Sequence, residues 1–276
     1  MMERFEAELR AAEPGFRELI GRIPLQATPP LPPEWLRCEM LERYKVLQKC
    51  PLPANGTVIE IGSGAHAIST VPLAFLAGRA GRVVAIERSR WAQFRPVVAA
   101  SGMNDRIWPV AADARQLPLP TDSADLAVCL HGIRSMGGET STVRILREMF
   151  RVAPRVSVAE SLPVARTDAQ RAHLAMYNLR EEVFSAVGGH RDDLPYFPLD
   201  QLVSLVEKAN GAVEGTELLE IDLPHFLAWF PRGLVTAIRS AGPRQALLRR
   251  WDEAESMRRR FGEDHPPVGI VTATRR

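Results

Sequence analysis

The chain reads as a doubly wound α/β protein, a mostly parallel sheet with helices on both faces. Three observations carry this. Short β-branched, apolar runs alternate with helical segments between residues 57 and 159. Those runs are almost continuously apolar, as strands covered on both faces must be. The first of them, Thr57-Val58-Ile59-Glu60-Ile61, runs directly into Gly62-Ser63-Gly64. That is a strand feeding a tight turn, where a residue without Cβ lets a ligand approach the backbone.

The elements follow in order. Residues 1–22 are expected to form one amphipathic helix, with Phe5, Leu9, Phe16, Leu19 and Ile20 near one face. A proline-rich connector spans 24–33, and a second helix spans 34–49, stopped by Cys50-Pro51-Leu52-Pro53. Asn55-Gly56 turns the chain into a strand at 57–61. The series continues as helix 65–77, strand 82–86, helix 91–100 and strand 107–111, then strand 124–130, helix 140–152 and strand 155–159. Beyond Glu160 the alternation loosens. A helix over 168–187 ends at Gly188-Gly189, and another over 198–210 ends at Asn210-Gly211. A strand at 217–223, a helix-rich stretch over 233–261 and a last strand at 267–274 complete the chain, and no internal repeat is visible.

Composition narrows the class. With 276 residues, 46% hydrophobic and 25% charged, the chain can bury a sizeable core. A net charge of +2 is too small to attract nucleic acid by its field alone. Cys38, Cys50 and Cys129 are odd in number and lack Cys-x-x-Cys spacing, which fits a reducing, cytoplasmic compartment. Met1-Met2-Glu3-Arg4-Phe5-Glu6 carries acids where a secretory leader has a basic region. The nearest approach to a membrane span, 68–77, is too short and contains Pro72.

Ligands of such sheets bind beyond the carboxyl ends of the strands, so those ends hold the candidate site. The second strand ends in Glu87, 23 residues after Gly64. A carboxylate there can accept both hydroxyls of a ribose cis-diol. Arg88 and Trp91 stand where they can flank a base. After the third strand, the Asp113 carboxylate and the Ala114 N–H can meet the amine and a ring nitrogen of adenine. The fourth strand runs into His131, a candidate general base near neutral pH, and the fifth into Glu160, placed to face an acceptor or pair with an arginine.

Together, Glu60-Ile61-Gly62-Ser63-Gly64, Glu87 and Asp113-Ala114 resemble a class I S-adenosylmethionine-dependent methyltransferase. The most specific stretch is Asp113-Ala114-Arg115-Gln116-Leu117-Pro118-Leu119-Pro120, followed by Ser123-Ala124-Asp125-Leu126-Ala127-Val128. It is similar to the branch that includes the ubiquinone/menaquinone-biosynthesis type and many small-molecule methyltransferases. The resemblance covers residues 55–160. It implies a Rossmann-like sheet of about seven strands with the last antiparallel, and S-adenosylmethionine as cofactor. It also implies that Gly62 and Gly64 admit the aminocarboxypropyl arm, that Glu60 organises the loop or meets the ammonium through water, and that Ser63, Glu87, Arg88, Asp113, Ala114 and His131 lie at the cofactor. His66 stands where the family has its third glycine. The expected organisation is one domain over 1–276: an N-terminal helical cap at 1–52, a cofactor-binding core at 55–160, and acceptor-side helices with the last two strands at 161–276.

The reaction expected is direct SN2 methyl transfer to a small molecule, with no metal required and no convincing site for one. His190-Arg191-Asp192-Asp193 reads as a solvated turn. Tyr44, His173, Tyr177, His190 and Tyr196 are polar or aromatic residues of the outer regions, each read first as structural. An RNA methyltransferase is the alternative, since Arg244, Arg249, Arg250, Arg258, Arg259, Arg260, Arg275 and Arg276 offer phosphate contacts. Acids interleave with several of these, and the Asn/Asp-Pro-Pro-Tyr/Phe motif of amino-group nucleic-acid enzymes is missing. A non-catalytic, partner-binding relative is a further alternative. A nicotinamide enzyme conflicts with Ala67, which stands at the third glycine of Gly-x-Gly-x-x-Gly.

Overall fold

A computed structural model describes residues 2–25, 32–89, 91–187, 196–226 and 230–276. Three helices, α1 (Met2–Ala11), α2 (Pro14–Arg22) and α3 (Trp35–Leu47), precede the sheet. Then come β1 (Thr57–Ile61), α4 (Thr70–Leu76), β2 (Arg82–Glu87), α5 (Trp91–Ser101), β3 (Ile107–Ala111) and β4 (Leu126–Leu130). A short 3-10 turn (Ile133–Ser135) leads to α6 (Gly138–Val152), β5 (Arg155–Ser161), α7 (Asp168–Ala186), α8 (Leu199–Lys208) and β6 (Gly211–Leu219). The chain closes with α9 (Arg232–Thr236), α10 (Ala241–Phe261) and β7 (Val268–Arg275).

The seven strands form one sheet in the order β3-β2-β1-β4-β5-β7-β6. Pairing is parallel from β3 to β5, and β7 runs antiparallel to both β5 and β6. The order reverses between β1 and β4, which opens the cleft beyond the carboxyl ends of these strands.

Alternation along the strands splits the core in two. Val58, Val83, Ala85, Val128 and Ile270 pack with the helices α2 to α5. Ile59, Ile61, Val84, Ile86, Cys129 and Val158 pack with α6 and α8 on the opposite face. A third cluster, with Met176, Tyr177, Leu179, Phe230, Val235 and Trp251, joins α7 to α9 and α10. The three cysteines are buried and unpaired.

Three expectations need correction. The helix expected at 1–22 is two helices, because Pro14 has no amide proton and starts α2 rather than continuing α1. The helix expected from residue 65 begins at Thr70. Gly62, Gly64 and Ala67 all take positive φ, which no helix accommodates, and the glycine loop is correspondingly longer. The strand expected at 217–223 lies at 211–219. It is an edge strand with a register shift between Val213 and Gly215, and its glycines and exposed acids hide the two-residue period. The Gly188-Gly189 stop, residues 26–31 of the connector and His190-Arg191-Asp192-Asp193 lie outside the described residues.

Candidate active site

Three loops close the strands β1, β2 and β3 at one edge. Gly62 has φ +74°, and a Cβ there would collide with Met136 Cε. Gly64 has φ +67°, with open space where its Cβ would be. Glu60 is fully buried and points behind this loop, where its carboxylate accepts hydrogen bonds from Ser69 Oγ and from Thr70 Oγ1 at 2.5 Å. It ties β1 to the start of α4. Burial pushes its carboxyl up to about 7, against the pull of those hydroxyls. Both carboxylate oxygens of Glu60 are therefore engaged by hydroxyls of the loop and of the first residue of α4.

Glu87 ends β2, half-buried, and its Oε1 accepts from the Arg88 and Ser89 amides at 2.9 and 3.3 Å. Arg88 itself is exposed. Trp91 packs edge-on against Phe94 with ring centroids 4.9 Å apart, beside the core. Asp113 accepts from the Arg115 amide at 2.9 Å and pairs with its guanidinium, which lowers its carboxyl to about 2. Ala114 is half-buried beside it. Ser63 Oγ and His66 Nδ1 are buried atoms without a hydrogen-bond partner among the described residues. His66 lies edge-on to Trp35 of α3, with centroids 5.2 Å apart.

The ends of β4, β5 and β7 meet a different environment. His131 takes φ +51°, a costly conformation for a residue with a Cβ, and its ring turns into the protein. Its Nδ1 is 3.0 Å from Ser161 Oγ and its Nε2 is 3.2 Å from Glu42 Oε1 on α3. Glu160 is buried and lies against Arg134, whose amide is 3.4 Å and Nε 3.5 Å away. Arg134 donates to Tyr177 Oη at 2.5 Å and spreads over the stacked rings of Tyr177 and Tyr196.

Behind them lie five residues that no sequence signal singled out: Glu39, Glu42, Arg43, His225 and His265. A two-residue ladder, His225 N to Glu263 O and His265 N to Leu223 O, brings His225 and His265 together. His225 Nδ1 is 2.9 Å from Glu39 Oε1. His265 Nε2 is 3.5 Å from Glu42 Oε1. Arg43 pairs with Glu42 and approaches Glu39 at 3.7 Å. His173 stacks between His225 and Tyr196. Burial holds the His131, His173 and His265 imidazoles well below their ordinary range, aided by the neighbouring cations. A cavity of about 90 Å³ opens here, lined by Arg43, His131, Arg134, Ser161, Tyr177 and Tyr196 among others. Thus Tyr177 and Tyr196 are brought to a pocket, whereas Tyr44 stacks on Phe16 in the core. The available signal was α3 itself. Eleven of its 13 residues are buried, Glu39, Glu42 and Arg43 among them, so three of its five charged residues lie inside the protein.

Comparisons with known proteins agree with this architecture. Residues 59–155 match the model of a methyltransferase domain family. No curated protein sequence matches the chain. Among solved structures, the fold is similar to a cyclopropane-fatty-acyl-phospholipid synthase-like protein from Lactobacillus casei ATCC 334. The TM-score is 0.72 at 16% identity, covering 93% of this chain and 97% of that one. A SAM-dependent methyltransferase from Aquifex aeolicus matches at TM-score 0.51 and 16% identity, over 86% of this chain and 91% of that one. The cyclase SpnF matches at TM-score 0.55 and 17% identity, over 86% and 81%. Among the described residues no helix is long and apolar enough to cross a membrane. The seven-stranded sheet and its strand-end loops thus carry, over residues 59–155, a match to a methyltransferase domain family.

Proposed function

We propose that the protein transfers a methyl group from S-adenosylmethionine to a small-molecule acceptor by direct SN2 displacement. The observation that carries this reading is a shared edge. The Gly62–Gly64 loop, Glu87 and Asp113 follow three adjacent parallel strands, and the polar cavity lies beyond the next two.

The residues fit the cofactor. Open space at Gly64 admits the aminocarboxypropyl arm to the backbone, and Ser63 Oγ and His66 Nδ1 offer uncommitted polar atoms to its charged end. Glu87 would take the ribose diol, and Asp113 with the Ala114 amide would take the adenine. The sulfonium supplies a methyl group already activated for transfer. The chain therefore has to align an acceptor within about 3–3.5 Å of that carbon and keep water out. Glu160 is engaged by Arg134, and both ring nitrogens of His131 are engaged, so transfer rests on alignment rather than on a dedicated base.

The size of the cavity favours a small acceptor. The RNA reading loses support because three of the six arginines of the last helix are ion-paired: Arg250 with Glu182, and Arg258 and Arg259 with Glu255. The likeness to a cyclase is a reminder that this fold does not fix one reaction.

Calorimetric titration with S-adenosylmethionine and S-adenosylhomocysteine tests the reading. Micromolar binding that weakens at least tenfold in Glu87→Ala, about 1.4 kcal/mol, is expected. Absence of binding by either ligand overturns it. RNA binding with a steep salt dependence would shift the acceptor assignment to nucleic acid.

A further inference from the structure

We infer that Glu42, His131 and His265 form a binding site for one divalent transition-metal ion of the zinc class, in the buried wall behind the cavity. The three residues come from distant parts of the chain: helix α3, the turn after β4 and the segment before β7. Their ligand atoms all lie within 4.8 Å of one another. Glu42 Oε1 is 3.2 Å from His131 Nε2 and 3.5 Å from His265 Nε2. Nitrogen and oxygen donors at about 2.0–2.1 Å from a tetrahedral zinc ion stand about 3.3 Å apart. The observed spacings bracket that edge.

The hydrogen bonds around the cluster fix its chemistry. His265 Nδ1 is 2.7 Å from the Pro266 carbonyl oxygen, which can only accept. The proton is therefore on Nδ1, and the neutral ring turns the lone pair of Nε2 toward the Glu42 carboxylate. His265 is 1% exposed, and its Nε2 has no hydrogen-bond partner among the described residues. Two acceptors facing each other in a buried site repel unless a cation or an added proton lies between them. His131 Nδ1 meets Ser161 Oγ at 3.0 Å, and Glu42 is backed by Arg43, the outer contacts that orient ligands at metal sites. His131 holds this position with a positive φ of +51°.

Charge permits a cation despite the nearby guanidinium. Two carboxylates, Glu39 and Glu42, face Arg43, with His225 also against Glu39, so the Glu42 carboxylate faces the site beside a guanidinium that a second carboxylate also offsets. Two imidazoles and one carboxylate suit zinc, iron(II) or cobalt(II). Magnesium and calcium prefer all-oxygen ligation.

The test uses the full chain, stripped with a chelator and then titrated with Zn2+, Co2+ and Mg2+. One equivalent of Zn2+ is expected to bind at micromolar affinity or tighter, and far above Mg2+. It should raise the melting temperature of the wild type, as mass action requires. His265→Gln and Glu42→Gln, each checked for folding by circular dichroism, should bind Zn2+ at least tenfold more weakly and lose that rise. Unaltered affinity in folded variants, or no stoichiometric binding by the wild type, overturns the site and leaves a protonated histidine–glutamate brace. Should both variants fail to fold, the visible spectrum of bound Co2+ decides. Intense bands of a low-coordinate nitrogen-oxygen site support the inference, and the weak bands of a six-coordinate hydrated ion overturn it.

Discussion

The two halves of the cleft are built in opposite ways. On the side proposed to hold the cofactor, Glu87 and Asp113 each sit at the end of a strand and are held by their near neighbours. Glu87 is fixed by the amides of Arg88 and Ser89, and Asp113 by Arg115. On the side proposed to face the acceptor, almost every contact named above is long-range. Glu42 meets His131 and His265, Arg134 meets Tyr177, and Glu39 meets His225. The first half is partly open to water and the second is buried. Local, solvated charges cost little to change, whereas buried networks fail when one member is removed. Damage to the acceptor half should therefore appear as lost stability, and damage to the cofactor half as lost binding.

The largest expected effect is on the acceptor side. Arg134→Met leaves Glu160 buried without its cation and Tyr177 without its donor, a loss of about 3–5 kcal/mol by urea denaturation. Adding Glu160→Gln should recover much of it, because the stranded charge is then gone. A loss below about 1 kcal/mol in the single variant would dissolve the contrast between the halves.

Glu60 gives the next effect, on the boundary between them. Its folded carboxyl, at about 7, lies above the ordinary 4.5, so the native state holds a proton that the unfolded chain releases. Stability should therefore be greatest below pH 4.5 as far as this group is concerned, and fall as pH rises through 7, by on the order of 3 kcal/mol. Glu60→Gln should flatten that part of the profile. A variant that keeps the wild-type slope would place the pH dependence elsewhere.

On the cofactor side, Glu87→Ala should leave the urea midpoint unchanged while weakening S-adenosylmethionine by about 1.4 kcal/mol. A shifted midpoint would mean that Glu87 braces the sheet edge. The smallest effect is expected for Asp113→Asn. Its ion pair with Arg115 is exposed, so stability should move by less than about 0.5 kcal/mol, with a severalfold loss of cofactor affinity.

The legibility of the sequence follows the same division. Residues 55–160 could be read because strand, acid and glycine are consecutive there, and β1, β2, β3 and β4 lie within two residues of expectation. His131 and Glu160 were visible as strand-end residues, but not what they touch. Glu39, Glu42, Arg43, His225 and His265 were passed over. Each stands in a segment without a motif, and their meaning arises only when α3 and the Leu223–His225 and Glu263–His265 ladder converge.

The sequence by itself determined the doubly wound sheet, its strand ends and the loop that suits a nucleoside-bearing cofactor. Those depend on hydrophobic period and on backbone freedom at glycine, which are local properties. Tertiary structure alone decided the proposed acceptor half: which charges face each other, which histidines burial pushes toward the neutral form, and where a cation can be held. Those properties depend on burial and on distances between residues up to about 220 positions apart, such as Glu42 and His265. No periodicity along the chain encodes them.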